Sequence, residues 1–206
     1  MKNMVKREVI FNLLVVLCLF KAQCCEEWYW KDYNREIPTD AIVAGTYKGQ
    51  HRYIGQAYLH HYGIMVTTII PGQNHSIVAC YGVKKVNKMI KILCSRNHHN
   101  FHWIETTPNT YLNDTMHLTT VIGGYNERAR SDWNKNGVSL ELAPLIIGRT
   151  TRHVHPIIGA VTVYRQKYVG KTDFYYPDPV NNTVLSAASF EEHKTHILAI
   201  NKYIKQ

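Results

Sequence analysis

Twelve histidines stand in a chain of 206 residues, several of them close enough to suggest shared ligation. His60–His61 and His98–His99 are adjacent pairs, and His153 and His155 would share one face of a strand, because side chains alternate along an extended backbone. A zinc centre needs three or four convergent nitrogen, thiolate or carboxylate ligands. No spacing here completes such a set, and histidines on loops and strand surfaces account for the pattern. Signatures of catalysis are missing as well. There is no nucleophile elbow, no His-Glu-x-x-His pair, no phosphate-cradling glycine loop and no dinucleotide fingerprint. Asp132, Glu141, Asp173 and Glu191 are scattered with no argument for pairing. The expectation is a protein with no enzymatic activity, no cofactor and no metal.

Residues 1–24 carry the marks of a signal peptide. Lys2, Lys6 and Arg7 precede the largely apolar run Val9–Phe20, and Ala22 and Cys24 are small residues two apart before a cleavage point. The run falls short of the about 20 residues that span a bilayer; a buried first helix or an uncleaved anchor is the alternative. Removing Lys2, Lys6, Arg7 and Lys21 with Glu8 lowers the net charge from +9 to +6. What remains has no basic run longer than Lys84–Lys85 and no basic stripe interleaved with aromatics, so nucleic acid is not an expected partner. An extracellular location makes a disulfide plausible. Of the five cysteines, Cys80 and Cys94 are the first choice, since both lie in strand-like runs separated by a turn, which leaves Cys25 over. Sequons at Asn74, Asn113 and Asn181 fit an exported glycoprotein.

The elements that must position these residues are short and extended. YIGQAY, GIMVTTII, HSIVACYG and MIKILCS are rich in Ile, Val, Thr and Tyr and are bounded by glycine or proline, as strands are. The one helix candidate in the mature chain is SFEEHKTHILAI, where Ser189 and Glu192 have capping-box spacing. Trp28, Tyr29, Trp30 and Tyr33 form an aromatic set whose simplest role is to anchor the first strand in the core. The blocks also recur. AIVAGTY (Ala41–Tyr47) returns as TVIGGYN (Thr120–Asn126), YIGQAYLHH (Tyr53–His61) as IIGRTTRHV (Ile146–Val154), and IKILCS (Ile90–Ser95) as THILAI (Thr195–Ile200). Gly45, Gly55, Gly124 and Gly148 interrupt these runs in aligned pairs, which suggests strands bent or closely approached at the same places in two copies.

These blocks resemble the DM-nine repeat family. The first copy carries Trp28 and Trp30, Pro38 to Gly45, Tyr53-Ile-Gly-Gln-Ala57, Cys80-Tyr-Gly82 and Ile90-Lys-Ile-Leu93. The second carries Phe101-His-Trp-Ile104, Val121-Ile-Gly-Gly124, Ile146-Ile-Gly-Arg-Thr150 and His196-Ile-Leu198. The resemblance makes THILAI a strand. It implies an all-β fold, with two pseudo-symmetric tandem repeats forming one compact β domain, over 28–95 and 101–200, the second holding an insertion at 127–143. It also implies lectin-like glycan recognition without catalysis. Sugar-binding members place an acid after the glycine turn and a lysine at the end of a Pro-Gly-Lys triplet, a charged acceptor and a charged donor for neighbouring hydroxyls. Here the acid position holds Tyr47 in the first copy and Asn126, followed by Glu127, in the second. The triplet falls on Pro71-Gly72-Gln73 or on Thr67-Thr68-Ile69 in the first copy and on Ile158-Gly159-Ala160 in the second, and the lysine is absent from all of them.

The expected function is therefore a secreted binding protein that recognises glycans in defence, innate immunity or host interaction. The alternative is a secreted effector or venom component that has lost sugar binding and works through protein or membrane contacts.

Overall fold

The computed structural model describes residues 28–107, 109–127, 143–150, 156–163, 172–178, 183–186 and 195–201. The leader, Cys25, most of the insertion, His153, His155, Asn181 and the Ser189–Glu192 capping box lie outside them. The described residues form fifteen strands of one antiparallel sheet. In chain order they are β1 (Tyr29–Asp32), β2 (Val43–Tyr47), β3 (Gln50–Leu59), β4 (Gly63–Ile69), β5 (Ser76–Ala79), β6 (Val83–Val86) and β7 (Ile90–Cys94). Then follow β8 (Phe101–Thr106), a single helical turn α1 (Tyr111–Thr115), β9 (Leu118–Thr120), β10 (Ile122–Asn126), β11 (Ala143–Thr150), β12 (Ile157–Val163), β13 (Thr172–Asp178), β14 (Thr183–Ser186) and β15 (Thr195–Asn201). The THILAI segment is a strand, as the resemblance implies.

The two halves pair their strands alike. In the first half β1 lies on β7, β7 on β3, β3 on β2 and β4, β4 on β5 and β5 on β6. In the second, β8 lies on β15, β15 on β11, β11 on β10 and β12, β12 on β13 and β13 on β14. Register agrees too. Trp30 faces Leu93 as Trp103 faces Leu198, and Gly55 faces Ile92 as Gly148 faces Ile197. The ladder shifts between Val43 and Gly45 on β2, and at the aligned Ile122 and Gly124 on β10. Even the cross-strand polar pairs correspond: Lys91 to Asp32 at 3.6 Å in the first half, the His196 ring to Glu105 at 3.7 Å in the second.

One ladder among the described residues joins the halves, with Tyr125 facing Ile64 and Asn126 facing Gly63. The register places Pro156 where the first half has Ile64. Proline has no N–H to give a ladder. Pro156 instead packs its ring against β2, at a point where a β-carbon on Gly45 would lie 2.5 Å from its Cγ. The sheet curls back on itself, so that the Ile158 N–H on β12 donates to the Thr68 hydroxyl on β4 at 3.1 Å.

Curling encloses one main core drawn from both halves. Ile54, Ile69, Ile92 and Leu93 join Val121, Ile147, Ile158 and Leu198, all essentially inaccessible to solvent. Each such side chain stabilises the fold by roughly 1.5–3 kcal/mol relative to exposure. Trp28, Tyr29, Trp30 and Tyr33 pack on this core, which is the anchoring role expected of them. A smaller cluster around Phe174, Tyr176 and Ile197 covers the second half.

The expected Cys80–Cys94 disulfide is not formed, and both cysteines are buried. Topology explains the error. Cys94 ends β7 and Cys80 follows β5, while β3 and β4 run between those strands. Three strand spacings make on the order of 14 Å, against the less than about 7 Å between α-carbons that a disulfide allows. Burial, with Asp40 nearby, pushes the Cys94 thiol up to about 11, so it stays protonated.

Tyr29 ties β1 to the approach of β2 by donating its hydroxyl to the Asp40 carboxylate. That bond holds the Asp40 carboxyl below its ordinary range and pushes the Tyr29 hydroxyl up to about 12. A carboxylate whose pKa is depressed by folding contributes stability above its unfolded value near 4, lost as pH falls through the folded one. A raised tyrosine contributes below about 10, lost as pH rises through 12. Tyr29→Phe is accordingly expected to lower the urea midpoint most between about pH 5 and 9, with the gap to wild type closing at both extremes. Midpoints that stay parallel down to pH 3 would refute the assignment.

Candidate functional site

Tyr47 ends β2 at a two-residue hairpin, with Tyr47 facing Gln50 across Lys48 and Gly49. Both loop residues are left-handed, at φ 48° and 75°, the backbone a type I′ turn requires. Cations flank the Tyr47 ring, Lys48 Nζ at 5.4 Å and Arg52 Cζ at 5.7 Å from its centroid. Next to this tip, Ile70-Pro-Gly-Gln73 closes a turn through the Gln73 N–H to the Ile70 carbonyl at 3.1 Å, with Gly72 at φ 81°. Proline then glycine in the middle is type II chemistry. Gln50 Nε2 donates to the Pro71 carbonyl at 3.4 Å and holds the two turns together. Tyr47 and Gln73 thus share one end of the β3–β4 hairpin.

Asn126 and Glu127 lie at the other end, about 30 Å away along some nine residues of strand. Asn126 faces Gly63, and the Glu127 N–H donates to the Tyr62 carbonyl at 2.9 Å. Gly63 is at φ 100° directly beneath, so close that a β-carbon would lie 3.2 Å from Glu127 Cγ. The four predicted residues therefore form two separate pairs.

Three residues that the sequence reading did not assign complete the second pair. Tyr62 leaves the β3–β4 turn and meets Tyr81 of the β5–β6 turn, ring centroids 5.9 Å apart and tilted by 37°. Lys84 on β6 holds its ammonium over the Tyr62 ring at 5.2 Å. Tyr81 is 53% exposed at φ 46°, next to Gly82 at φ 113°. Tyr81 belongs to the Cys-Tyr-Gly block, and Lys84 to the Lys84–Lys85 pair. Nothing in the sequence indicated that they pack on Tyr62, whose carbonyl accepts from the Glu127 N–H of the other half. On the first-half side of this contact lie a cation and one exposed aromatic ring, that of Tyr81, while Tyr62 is half-buried against the core.

Among the described residues no three histidine, cysteine or acidic side chains converge as a metal site. His60 and His61 are neighbours with ring centroids 3.7 Å apart, and the His98 ring contacts the Asp40 carbonyl at 3.0 Å. Of the sequons, Asn74 is exposed in the β4–β5 loop. Asn113 is exposed on α1, where the buried Thr115 donates its hydroxyl to the Tyr111 carbonyl at 2.8 Å. No described helix is long and apolar enough to cross a membrane.

Comparison with known proteins finds no family model, no curated protein and no solved structure that matches this chain.

Proposed function

We propose that this is a secreted, non-enzymatic binding protein built of two DM-nine-like tandem repeats, recognising glycans through the surface formed by Tyr62, Tyr81, Lys84, Asn126 and Glu127. The observation that supports the reading is the packing of Lys84 and Tyr81 on Tyr62, whose backbone carbonyl accepts from the Glu127 N–H. It supplies the lysine that the family positions lack. An exposed tyrosine offers its face to the apolar side of a sugar ring while its hydroxyl remains hydrated. Lys84, held over Tyr62, donates to hydroxyls, and Asn126 and Glu127 accept from them; charged partners make these bonds about twice as strong as neutral ones.

A glycan array probed with the mature protein tests this. Lys84→Ala and Tyr81→Ala are each expected to weaken binding at least tenfold, or about 1.4 kcal/mol, and Asn126→Ala by a similar factor. Tyr47→Ala, at the opposite end, reports whether the first-copy position adds a second site. Silence across all glycans, with proteins recovered in a pull-down, would overturn the reading. It would favour the second one, an effector acting through protein or membrane contacts. Exposed Leu112, Met116 and Ile122 are the observation on that side.

A further inference from the structure

Elsewhere on the molecule a concave surface is lined by none of the residues just assigned. It is a cavity of about 240 Å³ where the end of β1, the β4–β5 loop and the β6–β7 turn meet. Tyr33, Asn34 and Arg35 form one wall, Asn74 another, and Asn87 and Lys88 a third, above the buried Ile90. Drug-sized ligands occupy roughly 300–1,000 Å³, so this volume suits something the size of one sugar ring.

Three features indicate a site rather than a surface dent. The Tyr33 ring packs on the core and the Tyr33 backbone N–H donates to the Ile90 carbonyl at 2.9 Å, yet the buried hydroxyl meets no partner. Buried polar atoms nearly always have one, and a ligand that displaced the atoms covering this hydroxyl would supply it. Burial also pushes the Tyr33 hydroxyl up, keeping it a neutral donor. Arg35 at φ 80° and Met89 at φ 53° flank the opening in left-handed backbone that non-glycine residues seldom adopt. Such strain gathers at functional sites. Finally, the charges do not balance. Asp32 at the rim is 3.6 Å from the Lys91 ammonium, which leaves Arg35 and Lys88 as excess cations among three amides.

We propose that this cavity holds one acidic monosaccharide unit, its carboxylate on Arg35 and Lys88 and its hydroxyls on Asn34, Asn74, Asn87 and Tyr33. The proposal rests on the glycan-binding reading but on a different set of residues. Three amides and a hydroxyl around two cations suit a polyhydroxylated carboxylate better than a bare phosphate. Because Asn74 is also a sequon, an N-glycan attached there would cover the mouth.

The test is an NMR titration of the mature chain, made in a host that adds no N-glycans, with a methyl hexuronide and with the matching neutral methyl hexoside. The uronide is expected to bind at least tenfold more tightly. Arg35→Asn, which tolerates left-handed backbone, and Lys88→Ala should each weaken uronide binding about tenfold or more. Tyr33→Phe should weaken it several-fold, and Lys84→Ala should leave it unchanged. Equal binding of the two sugars, or a uronide indifferent to Arg35→Asn and Lys88→Ala, overturns the proposal. Array glycans held at Tyr81 and Lys84 without any uronide binding refute the cavity alone. Uronide binding that depends on Arg35, with Lys84→Ala and Tyr81→Ala inert on the array, supports the cavity and refutes the turn surface alone.

Discussion

Gly124→Ala is expected to destabilise the protein by about 3 kcal/mol or more, at the severe end for overpacking substitutions. A β-carbon there would stand 2.0 Å from the Ile64 carbonyl oxygen and 2.8 Å from its carbon. These are backbone atoms of β4, so no side chain can swing aside. The clash also falls on the β10–β4 ladder, the one ladder that joins the halves among the described residues. Gly45→Ala is the informative comparison. It meets only the Pro156 ring, at 2.5 Å, and is expected to cost about 1–2 kcal/mol because a ring at a strand start can shift. Gly49→Ala meets nothing within 4 Å, and its loss of about 1 kcal/mol comes only from its positive φ. Urea unfolding of the three variants, at constant m value, ranks them. Equal losses at Gly124 and Gly49 would mean that the halves do not meet along this ladder.

Arg149→Ala is expected to cost about 2–3 kcal/mol, because it removes both a charged hydrogen-bond donor and a cation–π interaction. Its guanidinium donates to the Ala44 carbonyl at 2.7 Å and lies over the Trp103 ring at 4.3 Å. The β2 bulge makes this possible. The ladder skips from Val43 to Gly45, which leaves the Ala44 carbonyl out of the pairing and free to accept from the other half. Burial alone pushes the Arg149 pKa down, the sign of a partly desolvated cation. Arg149→Lys is expected to recover less than half of the loss, because an ammonium lacks the flat fork that both donates and stacks. A cycle with Trp103→Leu, followed by urea unfolding, isolates the stacking. Strict additivity of the two substitutions would remove the clasp from the account.

The arginine shows where sequence reading works and where it stops. Arg149 was visible in the sequence as the residue after Gly148, at the place where Gln56 follows Gly55. Its partner 105 positions away was not. The aligned glycines were read as bends or close approaches. Gly45 and Gly124 prove to mark bulges, whereas Gly55 and Gly148 lie under Ile69 and Phe174. The disulfide failed because two strand-like cysteine runs near in sequence say nothing of the strands that come between them.

By itself the sequence indicated the strand runs YIGQAY, GIMVTTII, HSIVACYG and MIKILCS and the order of the blocks. Alternation of β-branched residues, Lys-Gly and Pro-Gly turn chemistry, and glycine placement are local preferences, each decided within a few residues. Tertiary structure alone decided the joint between the halves, the separation of Cys80 from Cys94, the packing of Lys84 on Tyr62, whose carbonyl holds the Glu127 N–H, and the polar cavity around Tyr33. Each brings together residues far apart in the chain, and which of them touch depends on how fifteen strands curl around one core. No local preference encodes that.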